Sequence, residues 1–285
     1  MEYRAFTKKQ KFLRVLLYLF MIVLVLFTLL PLVYVVMTAF KPIDEIIKFP
    51  PTFFVKRPTA DNFADLMNAV GSSAVPFIRY IFNSVFTSVM SVVLTVLFCS
   101  MGAYGLVKHK VPFANFFFAL ILAALMFSTH VTQIPTYLVV NNLKLVDTYW
   151  SLIIPKIAVA FNFFLMKQFL EQLPNAFLEA ARIDGANELY IFVKIVMPFL
   201  APAWATLIVF SFVSNWNDFF TPLIFITNQA LKTLPLALQT INEGGNLARA
   251  GATAAATFLM TFPTIIVFSS MQKRVIETMT YSGIK

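Results

Sequence analysis

Long apolar runs, rather than alternation, organise this chain. Five stretches contain no Asp, Glu, Lys or Arg at all, at 15–40, 80–107, 111–143, 195–217 and 250–272, and a sixth, 148–166, is interrupted only by Lys156. A helix rising 1.5 Å per residue needs about 20 mostly apolar residues to cross the hydrocarbon core. The pattern therefore predicts an all-α, polytopic membrane protein with about six transmembrane helices. The first run is longer than a signal-peptide h-region and no small-x-small cleavage pattern follows it, which predicts an uncleaved anchor.

Composition agrees with the runs. Of 285 residues, 59% are hydrophobic and 12% charged, and the mean hydropathy is +0.80, values outside the range of soluble chains. The net charge of +9 then reads as membrane orientation, not nucleic-acid binding. With the amino terminus inside, the inside segments (1–14, 107–112, 167–198, 273–285) hold 13 Lys and Arg in 65 positions, and the outside loops (41–80, 128–148, 227–254) hold 8 in 89. That bias predicts a multi-pass protein of the cytoplasmic (inner) membrane with both termini cytoplasmic. Arg4, Lys8, Lys9, Lys11 and Arg14 carry much of it, as a topology anchor at the lipid headgroups.

No linker separates two folding units, so residues 1–285 read as a single transmembrane permease domain. The outside segment 41–76, with Pro42, Pro50, Pro51 and Pro58, reads as an extended, partly ordered surface stretch. Gly251, Ala252, Ala254, Ala255 and Ala256 would let a neighbouring helix approach closely. One cysteine, Cys99, allows neither an internal disulfide nor a Cys-based metal site. His109 sits between Lys108 and Lys110 in an inside turn and His130 lies in the third run, and two isolated histidines make no metal site. Phe-rich runs such as 116–118 are expected to face lipid or other helices. No residue set points to a cofactor.

The inside connection 167–198 is long for a bundle loop and helical in character. Pro174 suits a helix start, 176–183 are good helix formers, and Gly185 can adopt the left-handed conformation that ends the helix. Phe177, Leu178, Ala181 and Ile183 are available for an apolar side. Asn187 can cap a second helix, with Glu188 in its first turn. A helix, a glycine elbow and a second helix make a rigid cytoplasmic knob able to receive force from a soluble partner; composition alone equally allows an ordinary amphipathic surface helix.

Spacing within that loop shifts the choice toward the knob. Glu179-Ala180-Ala181, three residues, Gly185, nine residues, Ile195, one residue, Met197-Pro198 resembles the E-A-A-x3-G-x9-I-x-L-P signature of permease subunits of ATP-binding-cassette importers, with Met197 where Leu is usual. Further stretches are similar to the sugar and oligosaccharide branch. They are Thr38-Ala39-Phe40-Lys41-Pro42, Asn83-Ser84, Gln133-Ile134-Pro135-Thr136-Tyr137, Arg182-Ile183-Asp184-Gly185-Ala186, Trp216-Asn217-Asp218-Phe219 and Thr233-Leu234-Pro235-Leu236. The tail Ser282-Gly283-Ile284-Lys285 keeps a Gly-x-Lys ending without the small residue and Val of that branch.

The resemblance implies a membrane-spanning permease subunit that forms half of a translocation pathway for sugars or oligosaccharides. It implies a second permease subunit, two ATPase subunits and an extracytoplasmic solute-binding protein as partners. No phosphate-binding loop G-x4-G-K-[ST] occurs, so the chain cannot bind ATP by that means; it is expected to be no enzyme itself, with ATP hydrolysis in the separate ATPase. The loop helix would insert into the ATPase, with Glu179 pairing a basic group there, Ala180 and Ala181 permitting close seating, Gly185 turning the chain, and Arg182 and Asp184 steadying the elbow. Asn215, Trp216, Asn217 and Asp218 are candidates for the sugar pathway, since polar groups beside apolar spans are functional candidates; Asp218 could instead brace helices. The alternative class is a secondary, ion-gradient-driven transporter, which would need coupling carboxylates within the spans. No run contains a carboxylate, and Asp218 borders the fifth.

Overall fold

A computed structural model of the chain describes residues 8–71, 75–109, 111–242 and 249–282; Arg4, Lys110 and the tail residues 283–285 lie outside them. Among the described residues every regular element is helical. The chain divides into two compact units, 1–70 with 241–259 and 71–240 with 260–285.

In the first unit, α1 (Lys8–Ala39) is a 32-residue apolar helix whose only buried residue is Ala39. Its carboxy-terminal end is held by the segment that follows. The Asn62 amide donates to the carbonyls of Ala39 (2.9 Å) and Lys41 (2.7 Å), which satisfies acceptors that a helix end leaves open. Lys41 is buried, reaches the Thr52 carbonyl and lies over the Tyr34 ring. Glu45 accepts from the backbone N–H groups of Lys56 and Arg57, both at 3.1 Å. This stretch is thus more ordered than its prolines suggest. It contains α2 (Ile43–Ile46) and an amphipathic helix α3 (Asp61–Val70), whose signal, Phe63, Leu66, Met67 and Val70 at i, i+3, i+4 and i+7, is present in the sequence. The small-residue stretch at the start of α15 (Ala250–Ser282) behaves as expected, because a Cβ on Gly251 would lie 2.0 Å from the Asn62 side chain. Phe40, Phe63 and Phe258 pack together there.

The second unit is built on α4 (Phe77–Lys108), again 32 residues. Ser84, Ser88, Ser91, Thr95, Cys99 and Ala103 recur every three or four residues, so they share one face, and all are buried. In a membrane small residues let helix backbones approach closely. α4 packs on this face against α7 (Tyr149–Ile157), α8 (Ala160–Leu170) and α12 (Ala201–Trp216). Gly102 belongs to the same contact, since a Cβ there would lie 2.8 Å from the Phe163 ring.

The remaining spans are broken where the sequence reads continuously. The third apolar run is two helices, α5 (Ala114–Ala124) and α6 (Thr129–Asn142), separated by residues 125–128. Fully helical, its 33 residues would reach about 50 Å, well beyond the hydrocarbon thickness. Phe116 and Phe117 on α5 face outward, as expected. The fourth run bends by 42° between α7 and α8. The fifth bends by 74° between the helical piece Glu188–Phe199, which comprises α10 (Glu188–Ile191), a π-turn (Phe192–Val196) and α11 (Met197–Phe199), and α12. This span therefore starts at Ala201 rather than at 195. Pro198 and Pro202 explain the break, since a proline donates no backbone hydrogen bond and its ring crowds the preceding turn. Among the described residues, three helices are long and apolar enough to cross a membrane, or five when each bent pair counts as one span.

Candidate functional site

The knob forms as its residue types dictate. Pro174 stands at the N-cap of α9 (Asn175–Ile183), one position before the helix begins. At the other end Gly185 has φ +83°, its N–H donates to the Arg182 carbonyl (3.1 Å), and the Ala186 N–H donates to the Ala181 carbonyl (2.9 Å). That pair of bonds is a Schellman closure, which places a glycine in the left-handed region. The Asn187 side chain then accepts from the Tyr190 N–H (2.8 Å) and caps α10.

The structure divides the expected apolar side. Leu178 is buried and Ala181 packs against the core, where Leu170, Leu173, Ile191 and Val196 gather. Phe177 and Ile183 instead point outward, 60% and 85% exposed, beside exposed Glu179, Ala180 and Asp184. The small side chain of Ala181 thus seats α9 on its own protein, and only Ala180 of the alanine pair lies on the free surface. Arg182 is exposed but paired; its Nε donates to Glu188 at 2.8 Å. Glu188 also accepts from the Tyr104 hydroxyl (2.6 Å) and lies 3.5 Å from His109 Nε2. The Arg182 and Tyr104 hydrogen bonds hold the Glu188 carboxyl below the usual carboxylate range. On the other side of α9, Lys108 Nζ donates to the Leu173 carbonyl (2.5 Å) and the Asn175 side chain (3.0 Å). Sequence reasoning placed Glu188 in the first turn of α10, as found, but missed its partners and missed Tyr104 and Lys108 as knob contacts, because nothing in their spacing shows that the end of α4 lies against the knob.

At its amino-terminal end α4 grips a different segment. The buried Asn83 amide donates to the carbonyls of Ala230 (2.9 Å) and Lys232 (2.8 Å) and accepts from the Tyr149 hydroxyl (2.6 Å). The Ser84 hydroxyl accepts from the Leu234 N–H at 2.7 Å. Asn83-Ser84 and Thr233-Leu234, far apart in sequence, thus meet as one joint. Asp147 closes a neighbouring turn by accepting from the N–H groups of Thr227 (3.0 Å) and Asn228 (2.8 Å).

The expected pathway residues are brought together, with partners that the sequence did not show. Trp216 is buried, stacks on Phe212 and donates its indole N–H to the Met260 carbonyl at 2.8 Å. Asp218 pairs with Lys156 at 2.7 Å, each side chain 18% exposed, and accepts from the Phe220 and Thr221 N–H groups at the start of α13 (Phe220–Phe225). Lys156, which interrupts the fourth apolar run, lies next to the bend between α7 and α8, and Asp218 lies between α12 and α13, so the pair ties two helix breaks. Asn215 is half-buried and Asn217 is exposed, its amide donating to the Val213 carbonyl. Close by, Gln133, Ile134 and Tyr137 of α6 and Phe220 and Ile224 of α13 line an open cavity of about 630 Å³. No group of three or more metal-ligating side chains exists among the described residues.

A helical membrane protein with broken spans, a capped knob and ion-paired helix breaks is built as a permease. The family model "Binding-protein-dependent transport system inner membrane component" matches residues 66–281, and the chain belongs to this family. It is the membrane permease subunit of an ATP-binding-cassette importer. It is 31% identical over 259 residues to the arabinooligosaccharides transport system permease protein AraQ of Halalkalibacterium halodurans, covering 90% of each chain. It is 35% identical over 209 residues to the sn-glycerol-3-phosphate transport system permease protein UgpE of Shigella flexneri, covering 73% of this chain and 74% of that one. Its fold matches a solved bacterial transporter chain involved in import of the acidic polysaccharide alginate, with a TM-score of 0.79, 24% identity, and 94% and 98% of the two chains covered.

Proposed function

We propose that this chain forms half of the translocation pathway of a carbohydrate importer and receives the motion of an ATPase through α9. The observation that carries the reading is the outward surface of α9. Glu179 and Ala180 are exposed there with Phe177 and Ile183, while the opposite side is anchored by Leu178 and Ala181. A helix held on one side and apolar on the other suits a partner groove, and Gly185 turns the chain back to its own core.

The partners on this reading are a second permease subunit, two ATPase subunits that hydrolyse ATP, and an extracytoplasmic solute-binding protein. The whole chain acts as one transmembrane domain with residues 167–198 as its coupling loop. Placement in the cytoplasmic membrane with both termini inside is supported by the density of Lys and Arg and by two joints. The turn after α4 meets the knob, and the start of α4 meets residues 230–234, so each joint unites loops that the charge count places on one side. For the substrate, an oligosaccharide suits the named arabinooligosaccharide relative. The cavity beside α13 supplies an amide, a phenol and an aromatic ring, the groups that bind hydroxyls and the apolar faces of pyranose rings. Asn215 and Asn217 offer further amides, while Trp216 and Asp218 act by holding the pathway helices in place.

The test is ATP hydrolysis and uptake by the reconstituted complex with its receptor and an arabino-oligosaccharide, comparing wild type with Glu179→Ala and Gly185→Val. Both variants should lose receptor-stimulated hydrolysis by about fivefold or more. Uptake that persists with no ATPase bound would sink the importer reading and favour a gradient-driven transporter.

A further inference from the structure

We propose that α4 is a transmission rod joining the outer segment 230–234 to the knob, with Asn83 and Ser84 as positioning residues at one end and Tyr104 and Lys108 at the other. The proposal rests on the importer reading above.

Three observations converge on it. The first is stiffness. Of the three described helices long enough to cross a membrane, α1 contains Pro31 and α15 contains Pro263, whereas α4 has no internal proline. The other spans are broken or bent. Kinks arise at prolines, Gly/Ser pairs and π-bulges; α4 holds Ser100 and Gly102 but no proline or π-bulge, and runs as one unbroken helix able to carry a displacement over its length of about 48 Å.

The second is the grip at the outer end. Asn83 is fully buried and holds two backbone carbonyls, and Ser84 holds a backbone N–H, so three main-chain groups of residues 230–234 are fastened to α4 by side chains. Bonds to main-chain atoms transmit the position of a segment whatever its side chains are. Tyr149 orients the Asn83 amide by donating to its oxygen.

The third is the grip at the inner end, which takes hold of the knob on both sides of α9. Lys108 binds where α9 begins, and Tyr104 binds through Glu188 where it ends. Glu188 also takes Arg182 from α9 itself. A displacement of α4 along or about its axis therefore moves α9 as a body. On this assignment an event at the outer segment, such as receptor docking, reaches the ATPase side through one helix.

The experiment uses the complete complex in lipid nanodiscs, with its receptor loaded with an arabino-oligosaccharide. Asn83→Ala tests the outer grip, Glu188→Gln the inner one, and the double variant their dependence on each other. A spin label on Phe177→Cys, in a Cys99→Ser background, reports motion of α9 directly. In wild type the receptor stimulates hydrolysis and changes the label spectrum. Each single variant is expected to keep basal hydrolysis and lose at least about fivefold of the stimulation, and the label should stop responding in Asn83→Ala. The double variant should lose no more than the larger single one, because two cuts in one rod are not additive.

Additive losses, or a normal label response in Asn83→Ala, would overturn the rod. Should Asn83→Ala not assemble, Ser84→Ala removes one hydroxyl and tests the same joint. A wild-type complex that the receptor does not stimulate would count against the importer reading itself, which separates the two failures.

Discussion

α1 and α4 are both 32 residues long and both apolar enough to cross a membrane, yet they do different work. α1 is the more hydrophobic of the two and none of its most apolar stretch is buried, while that of α4 is 39% buried. The more hydrophobic helix is the less packed one. Lipid is as apolar as leucine, so hydrophobicity inserts a helix without drawing it to its neighbours, and close packing and hydrogen bonds decide association. α4 has the serine and threonine face, Gly102 and Asn83; α1 has a uniform apolar surface and is held at its carboxy-terminal end by Asn62.

This contrast can be broken at its strongest point first. Lys156→Met leaves the Asp218 carboxylate partly buried without its partner and should cost about 3 kcal/mol of unfolding free energy. Lys156→Met combined with Asp218→Asn should recover most of that loss, since Asn can still accept from the N–H groups at the start of α13. Thermal unfolding of the purified chain measures both. Equal stability of Lys156→Met and wild type would show that the pair does not brace the two helix breaks.

A smaller effect is expected where α1 ends. Gly251→Val drives a side chain into Asn62 and should cost about 1–3 kcal/mol by overpacking, with loss of the cap on α1. Phe27→Ala, in the middle of α1 where the ring is 76% exposed, should stay within about 0.5 kcal/mol in the same assay. A large loss on Phe27→Ala would mean that α1 is packed after all and would erase the contrast.

The smallest effect concerns pH. The carboxyl of Glu188 is held below its ordinary value of 4.5 by Arg182 and Tyr104, with His109 facing it as well. A depressed carboxylate contributes stability that is present above its ordinary value and lost as pH falls through its folded value. The spin label on α9 should therefore give the same spectrum from about pH 8 down to about pH 5 and gain mobility only in stronger acid. Glu188→Gln should remove that acid response.

Much of this was readable in advance where the cause is local. Gly185 adopts the left-handed turn, Asn187 caps α10 and Gly251 admits a close neighbour, each for reasons carried by one residue and its immediate sequence. Helix breaks were less legible. The run 111–143 shows no charge at its break, and Pro202 sits inside a stretch that reads as one span, because an apolar count is blind to backbone hydrogen bonds. The tryptophan of the fifth run, a pathway candidate in the sequence, has a partner that the sequence did not show, the Met260 carbonyl, since an indole's partner can come from any element that passes within reach.

The residues of this chain, taken in order, determine that it enters a membrane, roughly how often it crosses, and that its loop 167–198 folds as a helix, a glycine elbow and a capped second helix. Insertion depends on summed apolarity, and the loop signature depends on short-range turn and capping preferences, both of which are properties of contiguous sequence. Only the tertiary structure decides that Asn83 meets residues 230–232, that Lys156 meets Asp218, and that Tyr104 and Lys108 close around the knob. Those contacts join residues between about 60 and 150 positions apart through directional hydrogen bonds whose geometry exists only once the helices have packed.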